Sequence, residues 1–159
     1  MSYTHTITVP LAWDEALQQT KDALAEQGFG ILSEINVRAT FEAKLGPEAA
    51  ATLGDYIILG ACNPNLASRA LAAEPDMGAL LPCNVVVRRS TDASETTIQA
   101  IDPQTMVQLS DNPAVKDVAD DAATRLRAAL ARLDGSVSPG GSAGQGGSAG
   151  QGGSAGPAS

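Results

Sequence analysis

Positive charge is what this chain has least of. Its 159 residues carry 10 lysines and arginines against 18 aspartates and glutamates, a formal net charge of −8, with no charged residue after Asp134. An acidic surface repels phosphate backbones, which disfavours nucleic acid as a partner and, for the same reason, anionic membranes. The largest basic cluster, Arg88-Arg89, reads as two solvated arginines at a strand end. Long apolar runs are also missing. The first nine residues alternate polar and apolar instead of forming the continuous stretch of a signal peptide, and no later run approaches the roughly 18 residues of a membrane span. A soluble, cytoplasmic protein is expected, in surroundings where structural disulfides are rare. There is one histidine, and the two cysteines do not form a CxxC pair. Cys62, Cys83 and His5 supply at most three soft ligands where a closed zinc site takes four, so neither a metal nor another cofactor is implied.

Composition divides the chain. From Gly135 onward there is no aromatic residue, and ten of the sixteen glycines lie there. The unit Gly140-Gly141-Ser142-Ala143-Gly144-Gln145 recurs at 146–151. Such a segment has nothing to bury, so residues 135–159 are expected to form a disordered tail or linker. Residues 1–134 then form one domain, large enough to bury roughly two-thirds of its unfolded surface without a metal or disulfide.

Within that domain, Tyr3, His5, Ile7 and Val9 alternate with polar residues, the pattern of a half-buried strand closed by Pro10. Trp13, Leu17, Thr20 and Leu24 form one stripe of a helix that Gly28 ends as a C-cap. Phe29–Val37 reads as a second strand, with a helical turn near 40–45. Gly46 to Asp55 reads as loop or irregular helix. Tyr56–Ala61 is a continuous apolar run, hence a buried strand. Asn63-Pro64, Asp102-Pro103 and Asn112-Pro113 each write the same helix start, a capping side chain followed by Pro at the first helical position. Cys83–Arg89 and Glu95–Ile101 form a hairpin across a polar turn. Val115, Val118, Ala122, Leu126, Ala129 and Leu133 line one face of a final long helix, with acids near its start and arginines near its end, as the helix dipole favours. The fold class is α+β, an antiparallel sheet with helices packed on one face. The other sheet face is solvated or used in an interface, and an apolar one predicts a homodimer.

Cys62 immediately precedes a helix start, where the dipole favours a thiolate. Cys83 opens the next long strand. If the strands they bracket are antiparallel neighbours, both thiols lie at one end of the sheet, and Asn63 and Asn84 add amide donors nearby. The same residues also have plainer roles. Cysteine often packs as a small buried hydrophobe, and Asn63 is most simply an N-cap. His5 reads as a satisfied strand histidine. Gly28-Phe29-Gly30 follows a helix and precedes a strand, the reverse of the dinucleotide-binding order. Asp102 is better read as a cap than as a general base. Asp117, Asp120 and Asp121 lack calcium-loop spacing and read as a solvated helix start.

Ile58-Leu59-Gly60-Ala61-Cys62-Asn63-Pro64, followed by Leu80-Leu81-Pro82-Cys83-Asn84-Val85-Val86-Val87, resembles the signature of the domain-of-unknown-function 302 (DUF302) family. Gly28–Ile35, Lys44-Leu45-Gly46 and Ile101-Asp102-Pro103 through Met106 fit it too, so the resemblance covers about residues 3–133. It implies a TATA-binding-protein-like order of strand, helix, antiparallel strands and helix, with homodimers usual. It brings no established reaction. DNA binding does not follow, because fold is not function. The expected function is a homodimeric small-ligand-binding module with Cys62, Asn63, Cys83 and Asn84 near its site. A thiol-redox or sulfur-handling protein using Cys62 and Cys83, and a purely structural dimer or interaction domain, are the alternatives.

Overall fold

The computed structural model describes residues 2–135. The chain runs β1 (Thr4–Val9), α1 (Trp13–Glu26), β2 (Gly30–Asn36), α2 (Val37–Leu45), α3 (Pro47–Leu53), β3 (Asp55–Cys62) and α4 (Pro64–Ala73). A 3-10 turn (Pro75–Leu80) leads to β4 (Cys83–Arg89), β5 (Thr96–Ile101), α5 (Gln104–Leu109) and α6 (Pro113–Gly135). The five strands form one sheet in the order β1-β5-β4-β3-β2, antiparallel at every neighbour. This is the expected α+β class, and it is compatible with the TATA-binding-protein-like arrangement. The tail expected over 135–159 lies outside the described residues, apart from Gly135, which closes α6. Among the described residues no helix is long and apolar enough to cross a membrane.

The period-two pattern of the strands decides which face is buried. Ile57, Leu59 and Ala61 of β3, Val85 and Val87 of β4, and Ile98 and Ala100 of β5 are all buried, and the register sets them side by side. Helices α1 and α6 pack together over this face, with Leu24, Leu126 and Leu133 turned into the core. The indole Nε1 of Trp13 donates to the Val87 carbonyl at 3.2 Å, joining the start of α1 to β4. The intervening positions Tyr56, Ile58, Val86, Gln99 and Ile101 lie on the opposite face and are only half-buried.

Two expectations change here. Of the segment 46–55, read as loop or irregular helix, Pro47–Leu53 forms the regular helix α3, and Asp55 already begins β3. The preceding α2 begins at Val37, capped by Asn36, whose Oδ1 accepts from the Ala39 N–H at 2.9 Å, and α3 follows after a single residue. That residue, Gly46, has φ +97°, and Pro47 sits at the first position of α3. The Ala-rich stretch is a good helix former, but seven residues are too few to show a periodic stripe. Gly54 ends α3 at φ +81°, against the strand end at Arg89, where an added methyl would run into the Arg89 carbonyl.

The second correction concerns Arg88 and Arg89, which are half-buried and hydrogen-bonded instead of freely solvated. Arg88 Nε donates to Gln99 Oε1 at 2.9 Å, while Arg89 donates to the carbonyls of Ala93 and Leu11, both at 3.0 Å. The Leu11 carbonyl also accepts from the buried Thr96 hydroxyl at 2.8 Å, which fixes the link between β1 and α1.

Candidate functional site

The β3–β4 register brings the two Cys-Asn motifs to one end of the sheet. Ala61 pairs with Cys83 and Gly60 with Asn84. Cys62, the last residue of β3, is half-buried, and Cys83, the first of β4, is buried. Both are free thiols. They border a single cavity of about 40 Å³, together with Phe29, Leu66, Pro82 and Met106. A water needs roughly 10–15 Å³ of such space, so the cavity has room for a few small atoms and falls far below the roughly 300–1,000 Å³ of a drug-sized ligand pocket.

Asn63 also borders the cavity, but its amide is already engaged. Its Oδ1 accepts from the Leu66 N–H at 3.3 Å, capping α4, and its Nδ2 donates to the Gln27 carbonyl at 3.4 Å. Gln27 is the C-terminal cap of α1. The turn beyond it closes with Gly28 N–H to Ala25 O and Phe29 N–H to Leu24 O, both at 3.0 Å. This is a Schellman ending, with Gly28 in the left-handed conformation at φ +84°. A side chain at Gly28 would press on Asn63 Nδ2 at 2.9 Å. Arg125 Nη1 of α6 reaches the same Gln27 carbonyl at 3.2 Å. Asn63 therefore acts as the cap expected of it, and as a tie between helices.

Asn84 does not join the cavity. It is exposed, and it borders a separate basin on the opposite sheet face with Tyr3, Tyr56 and Gln99. The pleat explains this correction: neighbouring residues in β4 point to opposite faces, so Cys83 and Asn84 cannot share a site on either. Met106 borders the cavity from α5, a placement no local pattern announces.

The chemistry of the cavity is that of its sulfurs. Burial, and secondarily the nearby Cys62, push the Cys83 thiol from an ordinary value near 9 up to about 11. Cys83 is thus a protonated thiol at neutral pH. His5 is not among the cavity residues. Its Nε2 is buried without a hydrogen bond, 3.4 Å from Asp102 Oδ1 but not aligned with it, which corrects the expectation of a satisfied histidine. Asp102 caps α5 by accepting from the Gln104 N–H at 3.0 Å. The acids at the start of α6 do more than meet solvent. Hydrogen bonds from Lys116 and then Gln104 hold the Asp120 carboxyl below its usual range, and Arg125, then Arg69, do the same for Asp121. The Arg69 contact, at 3.3 Å, ties α4 to α6. No group of three or more His, Cys, Asp and Glu side chains suited to a metal occurs among the described residues.

The raised Cys83 value has a consequence for stability. Below pH 9 the thiol holds its proton in both folded and unfolded chains. Between about 9 and 11 only the folded chain keeps it, so stability falls across that window. The loss amounts to about 3 kcal/mol at most, at about 1.4 kcal/mol per pH unit. Urea unfolding measured against pH is expected to show this alkaline fall in the wild type and a shallower one in Cys83→Ala. Identical slopes would show that the thiol does not feel its burial.

Comparison with known proteins agrees with this architecture. The family model described as domain of unknown function DUF302 matches residues 5–133. No curated protein matches the chain. The crystal structure of an uncharacterized conserved DUF302 protein from Bacillus stearothermophilus superposes with a TM-score of 0.74 at 29% identity, over 83% of this chain and 98% of that one. With the family model spanning nearly all of the described residues, the chain belongs to the DUF302 family.

Proposed function

We propose that residues 1–134 form a homodimeric binding module that takes a small, soft or apolar ligand at the cavity between Cys62 and Cys83. The observation that carries this reading is convergence. Two strand ends and α5 bring Cys62, Cys83 and Met106, three sulfur-bearing residues, to the border of one cavity. Sulfur is polarizable and suits soft or apolar partners. The cavity size favours a ligand of a few atoms, and a larger one requires α4 or α5 to move. Free thiols suit a reducing compartment such as the cytoplasm. In a thermal-shift screen of metabolites and soft metal ions, at least one ligand is expected to raise the melting temperature of the wild type but not of Cys62→Ser. No shift with any ligand, or an equal shift in the variant, overturns the reading.

The homodimer rests on the uncovered sheet face. Ile58, Val86 and Ile101 are half-buried there, and Ile35 beside them is 51% exposed. Contiguous apolar surface of this kind is where a second copy gains most. Sedimentation equilibrium is expected to give a dimer that Ile58→Lys converts to a folded monomer; a monomeric wild type at micromolar concentration removes it.

One observation favours the thiol-redox alternative. Cys62 is half-buried while Cys83 beside it is buried, an order that suits an attacking thiol in front of a resolving one. An alkylation pKa for Cys62 at or above about 8.5 would leave no activated thiol and remove this reading.

A further inference from the structure

Among the half-buried cations, Arg88 and Arg89 stand apart. Ion pairs engage Lys21, Arg38, Arg69, Lys116, Arg125 and Arg132. Four cations enter none among the described residues: Lys44 and Arg127, which are exposed, and Arg88 and Arg89, which are half-buried, in a chain where acids outnumber bases 18 to 10. Arg89 is committed to the Leu11 and Ala93 carbonyls. Arg88 uses only Nε, on Gln99. The two terminal nitrogens of its guanidinium make no hydrogen bond among the described residues, although the side chain is half-buried.

Arg88 borders a groove of about 590 Å³ between the α2–α3 arm and the ends of β3 and β4, whose apolar wall includes Phe41, Leu53 and Tyr56. Tyr56 and Arg88 are register partners on the uncovered sheet face. The volume falls within the roughly 300–1,000 Å³ of small-molecule sites, unlike the thiol cavity. The arm that forms one wall is anchored at both ends. Arg38 pairs with Asp55 at 2.8 Å, and the Thr91 hydroxyl donates to the Ala51 carbonyl at 2.6 Å. The first of these pairs also occupies the acid at the start of β3, so Asp55 is matched by Arg38 and leaves Arg88 unneutralised.

We propose that this groove binds an aromatic carboxylic acid, its carboxylate on the free end of Arg88 and its ring against Phe41, Leu53 and Tyr56. A guanidinium presents two parallel N–H donors that match a carboxylate, and partial burial strengthens that pair relative to one in open water. The two aromatic side chains offer ring faces and edges to a planar ligand. The net charge of −8 makes an unpaired, half-buried cation the natural place for an organic anion on this domain. The site is separate from the thiol cavity, and neither depends on the other.

The test is a heteronuclear NMR titration of the full-length protein with 2-naphthoate, with 2-naphthamide as the uncharged counterpart and inorganic phosphate as the anion without a ring. Saturable shifts are expected at the amides of α2, α3 and the end of β4, with the amide and phosphate each about tenfold weaker or more. Arg88→Gln should bring the acid down to the affinity of the amide. Ala49→Trp fills the groove, leaves Arg88 in place and should abolish binding; it decides the matter if Arg88→Gln does not fold. The proposal is overturned if 2-naphthoate gives no saturable shifts, if acid and amide bind alike, if phosphate binds as well as the acid, if the shifts cluster around Cys83, or if Ala49→Trp binds normally.

Discussion

The two-residue period of β3 and β4 is the constraint on which the rest depends. Once Ala61 is opposite Cys83 and Gly60 opposite Asn84, every other side chain of these strands is assigned to a face. Val85, Val87, Ile57 and Leu59 go under α1 and α6, where their burial supplies the main driving force for folding. Tyr56, Ile58, Val86 and Arg88 go to the other side. A one-residue slip would exchange the two sets and expose the core. The same register fixes the chemistry: sulfur at one end of the sheet, and a cation beside aromatic rings at the opposite end of β4.

The Cys-Asn pairs look alike in sequence and differ in three dimensions. Cys62-Asn63 ends a strand and begins a helix, so both residues meet the cavity, with Asn63 spent on backbone partners. Cys83-Asn84 opens a strand, so its two residues separate onto opposite faces. A motif repeated in the chain is therefore not a site repeated in space. What unites the cavity is sulfur and its low polarity, which keeps Cys83 protonated.

Features governed by neighbours in sequence are legible in the sequence itself. Asn63-Pro64 and Gly28 announced a helix start and a helix end because capping is local chemistry. The continuous apolar run around Ile57 and the valines before Arg88 mark strands, and the order of elements follows. That Cys62 and Cys83 would meet needed only one further assumption, that β3 and β4 are antiparallel neighbours. The contribution of Met106 to the cavity is not legible, because α5 is held there by tertiary packing against α6. The pairing of Arg88 with Gln99, and its place beside Phe41, depend on strand and arm positions that no spacing encodes. Asn84 was within reach of the sequence, since alternation along β4 already separates it from Cys83.

The Gln27 carbonyl ends α1 and accepts from both Asn63, at the head of α4, and Arg125, in the middle of α6. Three helices distant in sequence thus share one acceptor. Fraying of any of them strips a partner from the other two, so their local openings are coupled into one cooperative unit. The thiol cavity lies against this junction through Asn63. Whatever enters it by displacing α4 works against the joint stability of all three helices, which makes occupancy of a very small space a matter for the whole helical layer.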